Sequence, residues 1–92
     1  MFIGCLRTNV FIPHSRSLKD KRQIVERIKS RIKNGFNVSM AEKPSDKWQV
    51  CELYIVCVNY TKGYVSEILD KVEEFILKNT DIHIVDIEKE IF

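Results

Sequence analysis

Residues 16–34, RSLKDKRQIVERIKSRIKN, decide how the chain is read. Leu18, Ile24, Val25, Ile28 and Ile32 recur at helical spacing and form one apolar stripe. Ser17-Leu18-Lys19-Asp20 has the S-x-x-[DE] form, in which the hydroxyl takes an otherwise unpaired backbone N–H. The Asp20 carboxylate then lies near the positive end of the helix dipole. Asn34-Gly35 follows with the residue types that a left-handed C-terminal cap prefers. The segment is an amphipathic helix, and what flanks it alternates with the period of a strand.

On its N-terminal side, Gly4, Leu6, Thr8, Val10 and Ile12 share one face of residues 2–12, and Cys5, Arg7, Asn9 and Phe11 share the other. Pro13 cannot continue a paired ladder and ends that strand. On the C-terminal side, Phe36, Val38 and Met40 alternate with Asn37, Ser39 and Ala41. A polar turn, Lys43-Pro44-Ser45-Asp46-Lys47, leads into a third strand from Trp48 to Asn59, rich in Val, Ile, Tyr and Cys. A second helix, Thr61 to Lys78, lines up Val65, Ile68, Leu69, Val72 and Ile76 and is acidic where the first is basic. In the last strand, Asp81 to Phe92, the period slips between Ile84 and Val85, which predicts a bulge or two apolar faces. The order βαββαβ predicts an α+β, ferredoxin-like two-layer sandwich, with both helices on one face of a four-stranded antiparallel sheet. Residues 1–92 read as a single domain without linker, low-complexity tract or fixed-period repeat.

Charge is distributed unevenly. The quoted helix holds eight basic residues against Asp20 and Glu26, a net of +6, whereas the whole chain carries +2. Everything outside it therefore sums to −4. Such lopsidedness points to an acidic partner on one side. At 100° per residue, Lys19, Arg22, Lys29 and Lys33 fall within one exposed quadrant, interrupted only by Glu26. Two readings compete for this quadrant. It is either a solvated face, neutralised through Arg22–Glu26 and Glu26–Lys29 pairs, or a stripe that tracks phosphates without reading sequence.

No nucleophile elbow, phosphate loop or H-E-x-x-H occurs, and the chain reads as a non-enzyme that needs no cofactor. Cys5, Cys51 and Cys57 lack C-x-x-C spacing and read as reduced, buried cytosolic thiols rather than metal ligands. His14 and His83 lie far apart in the chain, which gives no metal site. The apolar start is interrupted by Arg7 and Asn9 and reads as a strand, not a signal peptide. No apolar run reaches membrane-spanning length. A chain of 92 residues has a thin core, so a homodimer is expected, through the open sheet face or an edge strand. Val56 and Val58, with Val85 and Ile87, would make that open face apolar enough to need cover.

Ile12-Pro13, Ser17-Leu18-Lys19-Asp20-Lys21-Arg22, Asn37-Val38-Ser39-Met40-Ala41-Glu42, Trp48 and Asp86-Ile87-Glu88 together resemble the YlxP-like family of small bacterial proteins, a domain of unknown function. The resemblance spans essentially the whole chain. It implies a ferredoxin-like fold, a bacterial cytoplasm and a link to translation, and it supplies no catalytic residues.

Two sites are expected. Lys19, Arg22, Lys29 and Lys33 are the candidate RNA-binding residues, with structured RNA or a ribosomal particle as partner. The alternative is a dimeric interaction or regulatory domain that recognises a protein or small metabolite. Lys21 falls in the apolar stripe, and a partly buried Lys21–Glu42 ion pair is expected to dock the helix on strand two. His14, Ser17, Asp46 and Trp48 should gather around it, and a catalytic use would make Lys21 or His14 a base with Glu42 as its partner.

Overall fold

The alternation of residues 2–12 places Leu6, Thr8 and Val10 inside, and the strand they form, β1 (Phe2–Phe11), is the one against which the others are ordered. The computed structural model describes all 92 residues. After β1 come α1 (Leu18–Gly35), β2 (Ser39–Glu42), β3 (Val50–Asn59), α2 (Lys62–Lys78) and β4 (His83–Ile91). The sheet order is β2-β3-β1-β4 with every neighbouring pair antiparallel, which is the expected ferredoxin-like α+β sandwich with one open sheet face. Gly4, Leu6, Thr8 and Val10 of β1 and Cys51, Leu53, Ile55 and Cys57 of β3 bury one face. Val25, Ile28 and Ile32 of α1 and Val65, Leu69, Val72 and Ile76 of α2 close over that same face.

The layers meet closely at Gly4, where a Cβ would collide with the side chains of Val65 and Leu69. Glycine is required there because α2 rests directly on the β1 backbone. The β1–β4 register shifts at Asn9/Val10, which pair with Asp86 and Ile84. Val85 is thus the extra residue of a bulge, where the period slipped in the sequence.

Three local expectations change. Gly35 is the last helical residue and no residue has positive φ, so the left-handed cap does not form. Phe36 instead leaves in extended conformation while its N–H still reaches the Ile32 carbonyl at 2.9 Å, which lets its ring turn straight into the core. Strand two is shorter than Phe36–Ala41 because the Val38 N–H bonds the Phe36 carbonyl (3.0 Å) rather than a neighbouring strand. Ile87 lies beside Thr8 in the β4–β1 register and packs against the core, so it does not belong to the open face. The bulge at Val85 resets the alternation and turns it inward.

Candidate nucleic-acid interface

The N-terminus of α1 is fixed as its sequence predicts. Ser17 Oγ accepts from the Asp20 N–H at 3.0 Å, and the Asp20 carboxylate accepts in return from the Arg16 N–H at 3.0 Å. With the buried stripe of Lys21, Val25, Ile28 and Ile32 against the sheet, the basic residues divide between two flanks. On the α2 side, Arg27 pairs with Asp81 (3.8 Å), and Arg31 lines a hollow with Phe75, Lys78 and Asp81. Arg22, Lys29 and Lys33 follow the other flank, where Arg22 shares a hollow with Glu42 of β2, and Lys19 faces outward above them. Lys29 is half-buried and pairs with Glu26 at 3.4 Å. Lys19, Arg22 and Lys33 are exposed and none has a carboxylate within ion-pair distance. Of the two pairs that could neutralise this flank, only Glu26–Lys29 forms, and Arg22 is left free beside it.

The expected Lys21–Glu42 ion pair does not form. Lys21 is 4% exposed, and its ammonium donates to the Lys47 carbonyl at 2.8 Å. The physical reason is that each group has another partner. Glu42 pairs with Leu53 on the core side of β2, where its carboxylate lies by the Cys51 thiol. The Lys21 stem passes it and ends at the loop that follows β2. Burial, and then the Glu42 charge, push Cys51 up to about 12. Leu18, Lys21, Arg22, Glu26, Glu42 and Ser45 line one hollow of about 250 Å³. Lys21 and Glu42 thus share this hollow without pairing with each other.

What Lys21 does hold is the segment 43–49. The Gln49 side chain donates to the Pro13 and Ser15 carbonyls (3.4 and 3.2 Å), and the Ile12 N–H donates to the Gln49 carbonyl at 2.8 Å. Trp48, on this tethered segment, is 53% exposed. Of the residues expected to gather at this end, Lys21 and Glu42 line one hollow and Lys21 holds the loop that carries Asp46 and Trp48, while His14 is exposed.

The opposite face of the molecule carries the other sign. Arg7, central on β1, reaches Asp86 at 2.7 Å, Glu88 at 3.3 Å and Glu52 at 3.5 Å. The Tyr54 hydroxyl donates to Glu52 at 2.7 Å. Hydrogen bonding to Asp86 and Glu88 pushes Arg7 up, and the same guanidinium holds Asp86 below the usual carboxylate range. Glu52 is lowered first by the Tyr54 hydroxyl, and the tyrosine is raised in return. With Glu90 opposite Cys5, the open face holds four carboxylates and one guanidinium. Such a face repels a phosphate backbone. Its Tyr54 ring, half-buried and tied to Glu52, is poorly placed to stack a base. This network was not anticipated. Its signal was the spacing of Asp86, Glu88 and Glu90 at every second residue of one strand.

Cys51 and Cys57 are buried free thiols, whereas Cys5 is only half-buried on the open face, so not all three are core residues. No group of His, Cys, Asp and Glu is arranged to hold a metal ion. No helix is long and apolar enough to cross a membrane.

The family model described as "Protein of unknown function (DUF503)" matches residues 3–89. The chain belongs to that family. The uncharacterized protein YlxP of Bacillus subtilis (strain 168) is 35% identical over 75 residues, which is 80% of this chain and 82% of that protein. The DUF503 chain also resembles the de novo designed protein Foldit4, with a TM-score of 0.55 at 12% identity over 100% of this chain and 97% of that one. At that identity the likeness to a designed protein speaks for the fold alone.

Proposed function

We propose that the chain is a non-enzymatic binding module that associates with structured RNA, such as that of a ribosomal particle, through the β2 flank of α1. One observation carries this reading: Lys19, Arg22 and Lys33 stand exposed and unpaired on a rigid helix, with Lys29 beside them, while the far side of the molecule is acidic. A helix that presents cations at fixed spacing releases counterions from a phosphate backbone, and the acidic sheet orients the molecule with that flank toward the RNA. The test is titration of a structured RNA at several salt concentrations. A log–log slope of about −2 to −4 is expected, with affinity lowered across unrelated sequences by combined Arg22→Ala, Lys29→Ala and Lys33→Ala. Binding that is undetectable at low salt, or indifferent to the triple substitution, would reject the proposal.

A second reading, an interaction or regulatory domain for a small metabolite, is favoured by the hollow of about 270 Å³ between the helices. Arg31, Lys78, Asn79, Thr80 and Asp81 line it with Phe75. Loss of binding on Arg31→Ala, with the RNA variants unaffected, would move the function there.

A further inference from the structure

We infer that Trp48 is a stacking platform for an unpaired RNA base, set beside the phosphate-binding flank of α1. The inference rests on the RNA reading above and adds what kind of RNA is preferred: a stem interrupted by, or ending in, an unpaired nucleotide.

Trp48 is the chain's single tryptophan, and more than half of its surface is open to solvent. Beside it, Lys47, Gln49 and Val50 complete a shallow hollow of about 290 Å³. Val50 is paired with Phe11 at the end of the β1–β3 ladder, and these two are 38% and 36% exposed. An indole thus lies bare on the loop, beside an aliphatic side chain and a phenyl ring at the end of the open sheet face, with Lys43, Asp46 and Lys47 on the same loop. A base presents a π-face to such a surface whatever its identity, while lysines take its phosphates.

This end is also built to stay in place. Here the loop backbone is pinned at Lys47 by a buried ammonium, at Gln49 by three hydrogen bonds to residues 12–15, and at Lys43 by an N–H bond to the Glu52 carbonyl (3.0 Å). The backbone on either side of Trp48 is thus tethered, and the indole it carries is 53% exposed.

The pinning residue joins the two surfaces. Lys21 lies next to Arg22 on α1, and its Nζ ends on the carbonyl that directly precedes Trp48. Arg22 and Ser45 line the same hollow, which places the cationic flank and the tryptophan loop side by side. Phosphates that follow Lys33, Lys29 and Arg22 along α1 lead to the loop, where an unpaired base would find the indole.

The experiment uses two RNA hairpins that differ only in one unpaired uridine in the stem, and it reads both affinity and the emission of Trp48. Quenching by the bulged hairpin and not by the fully paired one is expected. Trp48→Ala should weaken the bulged hairpin about ten-fold and the paired one by less than about two-fold, and Trp48→Phe should restore most of the loss. If both hairpins bind with equal affinity and Trp48 emission stays unchanged, the stacking site is overturned while phosphate binding by α1 stands. Equal weakening of both by Trp48→Ala also overturns it, because the residue would then support the loop. If neither hairpin binds at low salt, both proposals fail.

Discussion

Lys21 Nζ lies 2.8 Å from the Lys47 carbonyl oxygen, so the one charged side chain on the buried face of α1 ends on the backbone of the β2–β3 loop. An ammonium nearly removed from water is costly unless it is hydrogen-bonded, and this bond offsets that cost while tethering the loop. Lys21→Met keeps the aliphatic stem and removes both the desolvation cost and the tether. Global stability should change by no more than about 1 kcal/mol in denaturant unfolding. Amide exchange of Ile12 and Lys43 should accelerate as the loop loosens. A loss above about 3 kcal/mol, with exchange accelerated throughout the sheet rather than at these two amides, would instead make Lys21 a core group whose removal opens the sandwich.

The two ends of α1 make opposite predictions. Ser17→Ala removes the acceptor of the Asp20 N–H and should cost about 1 kcal/mol. At the other end, Gly35 is right-handed, and nothing lies within 4 Å of where a Cβ would stand. Gly35→Ala should therefore stabilise by up to about 1 kcal/mol, because a helical alanine is favoured over glycine. Destabilisation by that variant would show that the helix closes with a left-handed residue after all.

Gly4→Ala is the contrasting glycine. Its methyl would meet Val65, whose branched side chain is stiff, and Leu69, both fully buried on α2. Overpacking at the β1–α2 contact should cost about 1–3 kcal/mol, seen as a lower thermal midpoint. A neutral result would mean that α2 rides further from β1 than the packing here requires.

These elements also show how far the sequence could be read. The βαββαβ order, the Ser17 cap and the slip at Val85 were legible because each depends on neighbours in the chain: a period, a capping triplet, a break in alternation. The Asn34-Gly35 cap was misread because the inward packing of Phe36 outweighed a local turn preference. Lys21 was rightly placed in the stripe, and Glu42 on the core side of strand two, but the partner of Lys21 depended on the course of the loop. The alternation of Asp86, Glu88 and Glu90 was in the sequence, but that Arg7 would meet it was not, since the network joins β1, β3 and β4. The basic flank was legible as a face. That Arg22 would stay unpaired while Lys29 took Glu26 was not.

The Arg7 network makes a prediction about pH. Asp86 and Glu52 are held below their ordinary values of 3.8 and 4.5 by hydrogen bonds that favour their charged forms, from Arg7 and from the Tyr54 hydroxyl respectively. A carboxyl group lowered in the folded state contributes stability that is fully present above its unfolded value and is lost as pH falls through its folded one. The wild-type thermal midpoint should thus hold from about pH 6 to about pH 5 and fall steadily below about pH 4. Arg7→Met reverses the local sign, since Glu52, Asp86, Glu88 and Glu90 would then face one another with no cation among them. That variant should be less stable near neutrality, and its difference from wild type should shrink on acidification as protonation relieves the repulsion. The other carboxylates are common to both proteins, so the difference between the two curves isolates the network. Curves that coincide down to about pH 3 would show that Arg7 and its three carboxylates contribute nothing to folding, as exposed pairs often do not.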